Sequence, residues 1–342
     1  MHARSRGLAA TIGVLLVAPL TSGCGTSAAE SPGLPALQID PGRVAVTGMS
    51  SGAYMATQAH VVFSDRIQAA AMIAGGPYGC AKGDLNTALS VCMRAEPSAP
   101  DVAELAAVVR QRADDSKIAP LAGMKGDRIF VFHGSADSTV VPQIGASTEA
   151  LYRLLGQSGN DLDVQVDFTH ALPHVLSTAG EGGECMEPTA PFVAACGVDT
   201  AGLVFQHWLG DQVEPATDAT GALSRFQQRE LLPDEVDPLL ADEGYVFVPP
   251  QCEQGRCGLL VAFHGCDQNV DKVGEAFVAG AGFNGWAQGN DVVVLYPQTR
   301  ASFAPLNPKA CWDWWGYSGA DYDTREGVQM QWLDAALRRL GV

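Results

Sequence analysis

Short apolar segments alternate with longer segments of helical character along most of this 342-residue chain. We interpret seven apolar segments as strands: residues 43–47, 69–73, 128–132, 164–168, 245–248, 259–263 and 292–296. We interpret five intervening segments as helices: residues 54–63, 102–113, 144–155, 273–287 and 326–340. Apolar strands without polar alternation are typical of parallel sheets with helices on both faces. The sequence therefore predicts an α/β protein with a mostly parallel sheet.

The first residues are typical of an export signal. Arg4 and Arg6 precede an apolar stretch, residues 8–20, that is too short to cross a bilayer. The small residue Gly23 then precedes Cys24, as in lipoprotein signals, where the cysteine carries the lipid. We expect export to the periplasm or the extracellular space, with the mature chain either free or anchored to a membrane through Cys24.

These features divide the chain into three predicted regions. Residues 1–23 form a signal peptide, of the ordinary or the lipoprotein type. Residues 24–40 are rich in small residues, proline and glycine, and are expected to be a flexible tether. Residues 41–342 are long enough to bury a full core as a single domain.

Eight cysteines follow Cys24, and an even number in an exported chain is typical of a disulfide framework. A zinc site is the alternative, but the sequence has no C-x2-C pair or histidine-paired cysteine cluster, so we expect no metal. Close spacing suggests three pairs and leaves a fourth, although spacing alone does not prove the connectivity. The suggested pairs are Cys80–Cys92, Cys185–Cys196, Cys252–Cys257 and Cys266–Cys311.

The balance of charge argues against some partners. Lysine and arginine number 21 against 38 aspartates and glutamates, giving a formal net charge of −17. Nucleic acids and anionic membrane surfaces repel such a chain, so we expect neither as a partner.

The segment "RVAVTGMSSGAYMATQAH" predicts a strand, a tight turn and a helix. Its G-x-S-x-G pattern, Gly48–Gly52, is typical of a nucleophile elbow, in which glycines allow a sharp turn that exposes a serine hydroxyl. The pattern selects Ser50 as the nucleophile and gives Ser51 the role of donating its backbone N–H to an oxyanion. The alternative is an ordinary small-residue turn, since G-x-S-x-G often occurs by chance.

A catalytic serine needs a base, and the base needs an acid that orients it. In "RIFVFHGSADSTVVP" a predicted strand runs into a turn that contains Asp137, which is our choice for the acid. Asp163 and Asp167 are interpreted as solvated charges at strand ends. His133 is expected to pack beneath the turn.

The base is expected in the loop after the next strand, "THALPHVLST". That position favours His174 over His170. Ser50, Asp137 and His174 then follow one another in the order of the α/β-hydrolases.

The segment "LLVAFHGCDQN", Leu259–Asn269, ends an apolar strand in His-Gly, as oxyanion loops of serine hydrolases do. Such a loop normally precedes the nucleophile, whereas here it follows. Joining Val342 to the region before Arg43 restores the usual order. The chain is therefore predicted to be a circularly permuted α/β-hydrolase with a single catalytic domain, in which the backbone N–H of Cys266 is the second oxyanion donor.

Several segments together resemble the extracellular poly(3-hydroxybutyrate) depolymerases, whose catalytic domains include a circularly permuted α/β-hydrolase type. These segments are "GMSSGAYMA", "IAGGPYGCA", "LPHVLST", "CGVDTAG", "FHGCDQN", "WAQGNDVVVLYPQ" and "CWDWWGYSG". The resemblance implies a triad of Ser50, Asp137 and His174, with Cys266 as an oxyanion donor. It also implies that Trp312 stands at the mouth of the substrate crevice. Trp314 and Trp315 are expected to be ordinary buried aromatic residues.

Many of these enzymes carry a polymer-adsorbing domain after the catalytic one, and we expect none here, since the sequence stops at Val342, just after its last predicted helix. Soluble oligomers, amorphous polymer or other esters are therefore favoured over crystalline polymer as substrates. We expect a monomeric secreted serine esterase that acts through an acyl-enzyme and uses no cofactor. The alternatives are a carbohydrate esterase that removes feruloyl or acetyl groups, and a non-catalytic surface lipoprotein.

Overall fold

The computed structural model describes residues 1–2, 31–157 and 159–342. The predicted signal peptide and Cys24 lie outside the described residues, and the predicted tether is described only from Ser31 onward. Ser31–Val342 forms one unit.

Twelve strands are present in the described residues. They are β1 (Gln38–Met49), β2 (Ala69–Ile73), β3 (Arg128–Phe132), β4 (Asp163–Asp167), β5 (Leu176–Thr178), β6 (Val193–Ala195), β7 (Ala222–Gln227), β8 (Glu243–Val248), β9 (Arg256–Phe263), β10 (Val292–Tyr296), β11 (Ser302–Phe303) and β12 (Leu306–Asn307).

Nine α-helices accompany these strands in the same part of the chain. They are α1 (Ser51–Val62), α2 (Leu85–Arg94), α3 (Val102–Asp114), α4 (Pro142–Gly156), α5 (Thr200–Leu209), α6 (Val270–Val273), α7 (Ala276–Gly280), α8 (Phe283–Gly289) and α9 (Val328–Arg339).

Eight of the strands form one sheet in the order β4-β3-β2-β1-β9-β10-β8-β7. Only β8 runs against its neighbours β10 and β7; the other pairs are parallel. Every residue of β2 and β10 is buried, as expected for strands covered on both faces. The predicted α/β class with a mostly parallel sheet is confirmed.

The sheet separates two apolar clusters. Val44 and Val46 of β1 point into one cluster with residues of α1, α3, α4 and α9. Ala45, between them, points into the other with residues of α5, α7 and α8. This alternation follows from the two-residue period of a strand, and it places helices on both faces of the sheet.

The strand order confirms the circular permutation. From β7 to β10, and then from β1 to β4, successive strands occupy sheet positions 1-2-4-3-5-6-7-8, which is the α/β-hydrolase order. The two ends of the described domain also meet, because Arg339 Nε of α9 donates a hydrogen bond to Leu34 O over 3.0 Å. A short link at this point would therefore restore the usual connectivity.

The structure corrects several predicted elements. The single helix expected over residues 273–287 is three short helices, α6 to α8, because Gly274 and Gly282 adopt positive φ angles of 59° and 87°. Such angles interrupt a right-handed helix and are accessible to glycine at little cost. Helices α2 and α5 and the short strands outside the main sheet were not predicted.

None of the helices within residues 31–157 and 159–342 has the length and apolar character needed to cross a bilayer.

The junction of β1 and α1 presses against the end of β9. A Cβ atom on Gly52 would lie 2.5 Å from His264 O and closer still to Phe263 O. A Cβ on Gly48 would lie 2.8 Å from the same Phe263 oxygen. Two backbone segments therefore touch where only glycine fits.

We expect Gly52→Ala to lower the free energy of unfolding by about 1–3 kcal/mol, because a methyl group would force β9 away from the turn. Urea unfolding measures the difference. Gly280→Ala is the matched control, since nothing lies within 4 Å of its added Cβ. A Gly52→Ala protein as stable as the Gly280→Ala protein would contradict this account of the junction.

Candidate active site

The predicted site residues lie at one edge of the sheet, where the parallel strands end. Ser50 directly follows β1, Asp137 lies in the turn after β3, and Cys266 lies in the turn after β9. His174 lies in the segment that follows β4. The carboxyl edge of a parallel sheet is where α/β proteins bind their ligands.

Ser50 has a constrained backbone, with φ 55° and ψ −120°. A positive φ is uncommon for a residue with a side chain, and such conformations concentrate at functional sites. The turn is held because Ser50 N donates to Ile73 O over 2.9 Å, while Ser50 O accepts from Ala53 N over 2.9 Å.

The two adjacent serines face different surroundings. Ser50 is partly exposed and lines a cavity, whereas Ser51 is 1% exposed. The Ser51 hydroxyl oxygen accepts a hydrogen bond from Trp312 N over 3.4 Å within the protein. Only the Ser50 hydroxyl is therefore directed toward a space that a substrate can enter.

Asp137 and His174 form a short hydrogen bond. His174 Nδ1 donates to Asp137 Oδ2 over 2.6 Å, and both residues are buried. The other carboxylate oxygen accepts backbone N–H groups from Thr139 over 2.8 Å and Val140 over 3.0 Å. A carboxylate held in this way fixes the imidazole with Nε2 free to act as a base.

Within the described residues no hydrogen bond joins Ser50 Oγ to His174 Nε2. Both side chains line the same cavity. The contact between nucleophile and base is often long in hydrolases without substrate and tightens when substrate binds.

Asp137 is held in its ionised form. Burial alone would raise the pKa of its carboxyl group, but hydrogen bonds from His133 and His174, together with their charge interactions, outweigh burial and lower the pKa to about 2. The acid of the Asp137–His174 pair is therefore charged across the neutral range.

His133 lies beneath Asp137 and is fully buried. Its Nε2 donates to Val140 O over 2.7 Å and stands 3.4 Å from Asp137 Oδ2. A Cβ on Gly145 would lie 2.6 Å from His133 Nδ1, so the backbone of α4 packs against that nitrogen. His133 Nδ1 has no hydrogen-bond partner among the described residues, so the contribution of His133 to the site is made through Nε2, beside Asp137.

His170 is in a different position. Its Nε2 lies 3.2 Å from Asp167 Oδ2 at the end of β4, and 38% of its side chain is exposed. His170 therefore pairs with the strand-end carboxylate, whereas His174 pairs with Asp137.

Two backbone N–H groups are available beside Ser50. In residues 31–157 and 159–342, neither Ser51 N nor Cys266 N donates a hydrogen bond to another protein group, and Cys266 lines the cavity with Ser50. An oxyanion hole needs backbone N–H groups of this kind beside the nucleophile, so Ser51 N and Cys266 N remain the predicted donors.

Gln268 holds the loop that carries Cys266 in place, a role that the sequence did not predict. Its Oε1 accepts Gly265 N over 2.7 Å, and its Nε2 donates to Pro191 O over 3.0 Å. His264 supports the same loop, with Nδ1 donating to Gly265 O over 2.7 Å and Nε2 accepting from Thr299 N over 3.2 Å. Burial lowers the pKa of His264 to about 4, so it is a neutral structural residue near pH 7.

The cavity has a volume of about 550 Å³ and a mostly apolar lining. Helix α2 contributes Leu85, Leu89 and Met93. Pro188 and Phe192 lie in the segment that the Cys185–Cys196 disulfide closes, and they also line the cavity. An apolar pocket with a few convergent polar groups is typical of a small-molecule site.

The expectation for Trp312 is wrong. Trp312 is 0% exposed, packs against Phe263 and His264, and is absent from the cavity lining within the described residues. Its backbone N–H is bonded to Ser51 Oγ, and its side chain lies on the inner side of the turn. Trp314 and Trp315 line the cavity instead.

A buried carboxylate shapes the turn that carries these two tryptophans. Asp313 Oδ1 accepts backbone N–H groups from Gly316 over 2.8 Å and Tyr317 over 2.9 Å, and Oδ2 accepts Ser318 N over 2.8 Å. Burial raises the pKa of Asp313, and these hydrogen bonds partly offset the effect. An aspartate followed three residues later by a glycine, as in Asp313 and Gly316, is a turn signal that could have predicted this turn.

Four disulfides are present, and their pairing is the one suggested by spacing: Cys80–Cys92, Cys185–Cys196, Cys252–Cys257 and Cys266–Cys311. The first two fix α2 and the Pro188 segment, and the last joins the oxyanion loop to the turn that carries Trp314 and Trp315.

Among the described residues, no group of three or more histidine, cysteine, aspartate or glutamate side chains is arranged to hold a metal ion.

Asp137 gives a testable pH dependence. Its pKa is about 2 in the folded protein and about 3.9 in an unfolded chain. The ionised carboxylate therefore contributes about 2–3 kcal/mol to stability at neutral pH, and this contribution is lost as the pH falls from about 4 toward 2. We expect the difference in unfolding free energy between wild type and Asp137→Asn to shrink over that range in urea titrations. A difference independent of pH would contradict a carboxylate held ionised by its partners.

The Cys266–Cys311 disulfide should affect both stability and rate. Its two cysteines are 45 residues apart, against 5 for Cys252–Cys257. Loop-closure entropy predicts that Cys266→Ala/Cys311→Ala loses about 4 kcal/mol and Cys252→Ala/Cys257→Ala about 2 kcal/mol. Only the first pair borders the cavity, so we expect reduced turnover of an ester in that variant alone, because the N–H of Cys266 is less well placed. Full activity in the Cys266→Ala/Cys311→Ala protein would show that the oxyanion loop does not need this bond.

Comparison with known proteins finds relatives that are PHB depolymerases by name. A family model described as "Esterase PHB depolymerase" matches residues 244–335. The chain is 34% identical over 324 residues to a poly(3-hydroxybutyrate) depolymerase of Delftia acidovorans, covering 93% of this chain and 63% of that enzyme. The chain thus spans less than two thirds of the Delftia protein.

A polyhydroxybutyrate depolymerase of Talaromyces funiculosus is 31% identical over 325 residues, covering 90% of this chain and 91% of that one. The crystal structure of a PHB depolymerase from Penicillium funiculosum is also similar, with a TM-score of 0.79 and 30% identity over 90% of this chain and 98% of the other. A PHB depolymerase complexed with an R3HB trimer gives the same TM-score of 0.79 at 29% identity, with the same coverage of 90% and 98%.

Proposed function

This chain belongs to the family of PHB depolymerases, and we propose that it is a secreted serine esterase that hydrolyses poly(3-hydroxybutyrate) or its oligomers through an acyl-enzyme. The observation that carries the proposal is the short Asp137–His174 hydrogen bond at a cavity into which Ser50 also opens. The relatives are depolymerases by name, and one was solved with a hydroxybutyrate trimer.

In the first half of the reaction, Ser50 Oγ attacks the carbonyl carbon of the ester while His174 Nε2 takes its proton. The oxyanion accepts hydrogen bonds from the backbone N–H groups of Ser51 and Cys266. Ionised Asp137 stabilises the imidazolium that forms. The proton then passes from His174 to the leaving alkoxide oxygen, which releases an alcohol and leaves the acyl group on Ser50.

In the second half, His174 takes a proton from water, and the hydroxide oxygen attacks the acyl carbon. The same N–H groups stabilise the second oxyanion. Collapse returns the proton to Ser50 and releases a carboxylic acid. Each turnover therefore splits one ester into an alcohol end and a carboxylate end.

The apolar cavity supports a polyester as substrate. The Trp314, Trp315 and α2 side chains offer contact surface to methyl and methylene groups and few hydrogen-bonding partners. Polyester repeat units carry no free hydroxyl groups, whereas a sugar carries several that such a lining would leave unpaired.

Export is part of the proposal. The four disulfides are typical of an oxidising compartment, and residues 1–23 have the pattern of a signal peptide.

Lipidation of Cys24 is a separate proposal, which the mass of the mature N-terminal peptide tests. We further propose a monomer, which sedimentation measures directly.

The adjacent serines provide the sharpest test of the mechanism. Ser50→Ala should lower turnover of a soluble 3-hydroxybutyrate ester by about 10³-fold or more without changing the melting temperature. Ser51→Ala is the matched control and should be much milder, because the scheme uses only the backbone N–H of Ser51. An inactive Ser51→Ala protein with an active Ser50→Ala protein would reject the assignment of the nucleophile.

The same two variants serve as controls when the substrate is identified. Clearing of a poly(3-hydroxybutyrate) suspension and release of 3-hydroxybutyrate from oligomers are compared with release of ferulate or acetate from xylan. We expect activity on the hydroxybutyrate esters that is retained in Ser51→Ala and lost in Ser50→Ala. Release of ferulate or acetate without hydrolysis of the hydroxybutyrate esters would favour a carbohydrate esterase instead.

A further inference from the structure

Lys309 stands out at the cavity because of its charge. Among the cavity-lining residues that the structure describes, Lys309 is the only lysine or arginine, and Asp267 is the only carboxylate. The chain as a whole carries a formal net charge of −17. A cation at a mostly apolar cavity of an acidic protein is placed to bind an anionic group of a substrate.

The backbone of Lys309 is fixed close to the oxyanion loop. Lys309 O accepts a hydrogen bond from Asp267 N over 2.6 Å, and Asp267 directly follows Cys266. Two residues after Lys309, Cys311 forms its disulfide with Cys266. The backbone of Lys309 is therefore held against the oxyanion loop by a hydrogen bond and a nearby disulfide.

The local charge balance is positive. Lys309 Nζ lies 3.0 Å from Asp267 Oδ2, and Lys272 Nζ lies 3.8 Å from Asp267 Oδ1. Two ammonium groups thus share one carboxylate, which leaves one positive charge in excess. The Lys309 side chain is 67% exposed, and exposed ion pairs contribute little, so its ammonium group is free to exchange Asp267 for another anion.

The chemistry of the substrate suggests which anion this is. A hydroxybutyrate polymer is neutral along its length and carries one carboxylate at its acid end. Hydrolysis of an ester bond near that end places the carboxylate on the leaving-alcohol side of the reacting carbonyl. Lys309 lines the same cavity as Ser50, whose hydroxyl attacks that carbonyl.

We propose that Lys309, which shares Asp267 with Lys272, binds the terminal carboxylate of the substrate chain, so that the enzyme prefers ester bonds near a free acid end. This inference rests on the proposed function and deepens it, because it names the preferred substrates as short oligomers with a free carboxylate. Neutral esters and interior bonds lack that contact.

The test compares the trimer of 3-hydroxybutyrate, which has a free carboxylate, with its uncharged methyl ester. At low salt, Lys309→Gln should lower the ratio of kcat/KM for the acid to kcat/KM for the methyl ester by about threefold, as an exposed ion pair allows. Lys309→Glu should lower the ratio by about tenfold, because repulsion replaces attraction. The change should lie in KM for the acid, with kcat kept.

Two controls separate this effect from general damage. Lys125→Gln removes an exposed lysine that does not line the cavity, and it should leave the ratio unchanged. In about 1 M salt, where the Debye length is about 3 Å, the wild-type preference should largely disappear.

The outcomes are distinguishable. Equal losses on both substrates would show that Lys309 acts only through the shape of the oxyanion loop, and an unchanged ratio would show that it does not bind the carboxylate; either result overturns the inference alone. A wild-type protein that hydrolyses neither trimer nor methyl ester would reject the proposed function as well.

Discussion

The close approach of the β1–α1 turn to the end of β9 is the constraint on which the site depends. Gly48 and Gly52 allow this turn to touch the carbonyl oxygens of Phe263 and His264. The contact sets Ser50 beside the loop of Cys266, although the two residues are far apart in sequence. The positive φ of Ser50 is maintained by backbone hydrogen bonds to β2 and α1, so the surrounding sheet and helix stabilise this uncommon conformation.

Around that contact, the cavity is built from loops that covalent bonds hold in place. Loops carry binding surfaces well only when a rigid scaffold positions them. Here Cys80–Cys92, Cys185–Cys196 and Cys266–Cys311 each fix one part of the lining. Gln268 and Asp313 complete the arrangement by binding backbone groups of the same loops.

The buried and the exposed charges at the site have different roles. Asp137 is buried and ionised beside two histidines, where it can stabilise a transient imidazolium. At the rim, Lys309 and Lys272 share Asp267 in contact with water. A buried charge of this kind serves the chemical step, whereas an exposed one can only select among substrates, because water weakens its interactions.

The sequence by itself determined the parallel sheet, the elbow at Ser50, the choice of Asp137 and His174 as partners, and the permuted order, because each depends on local patterns and on chain direction. It also suggested the disulfide pairs, since three of them join cysteines close in sequence and Cys266 and Cys311 are then left to pair with each other. Tertiary structure alone decided that Trp314 and Trp315, and not Trp312, face the cavity. It also decided that Gln268 and Asp313 hold the loops. Side chains in loops take their directions from packing against distant segments, as Trp312 does against Phe263 and His264, and no local pattern records such contacts.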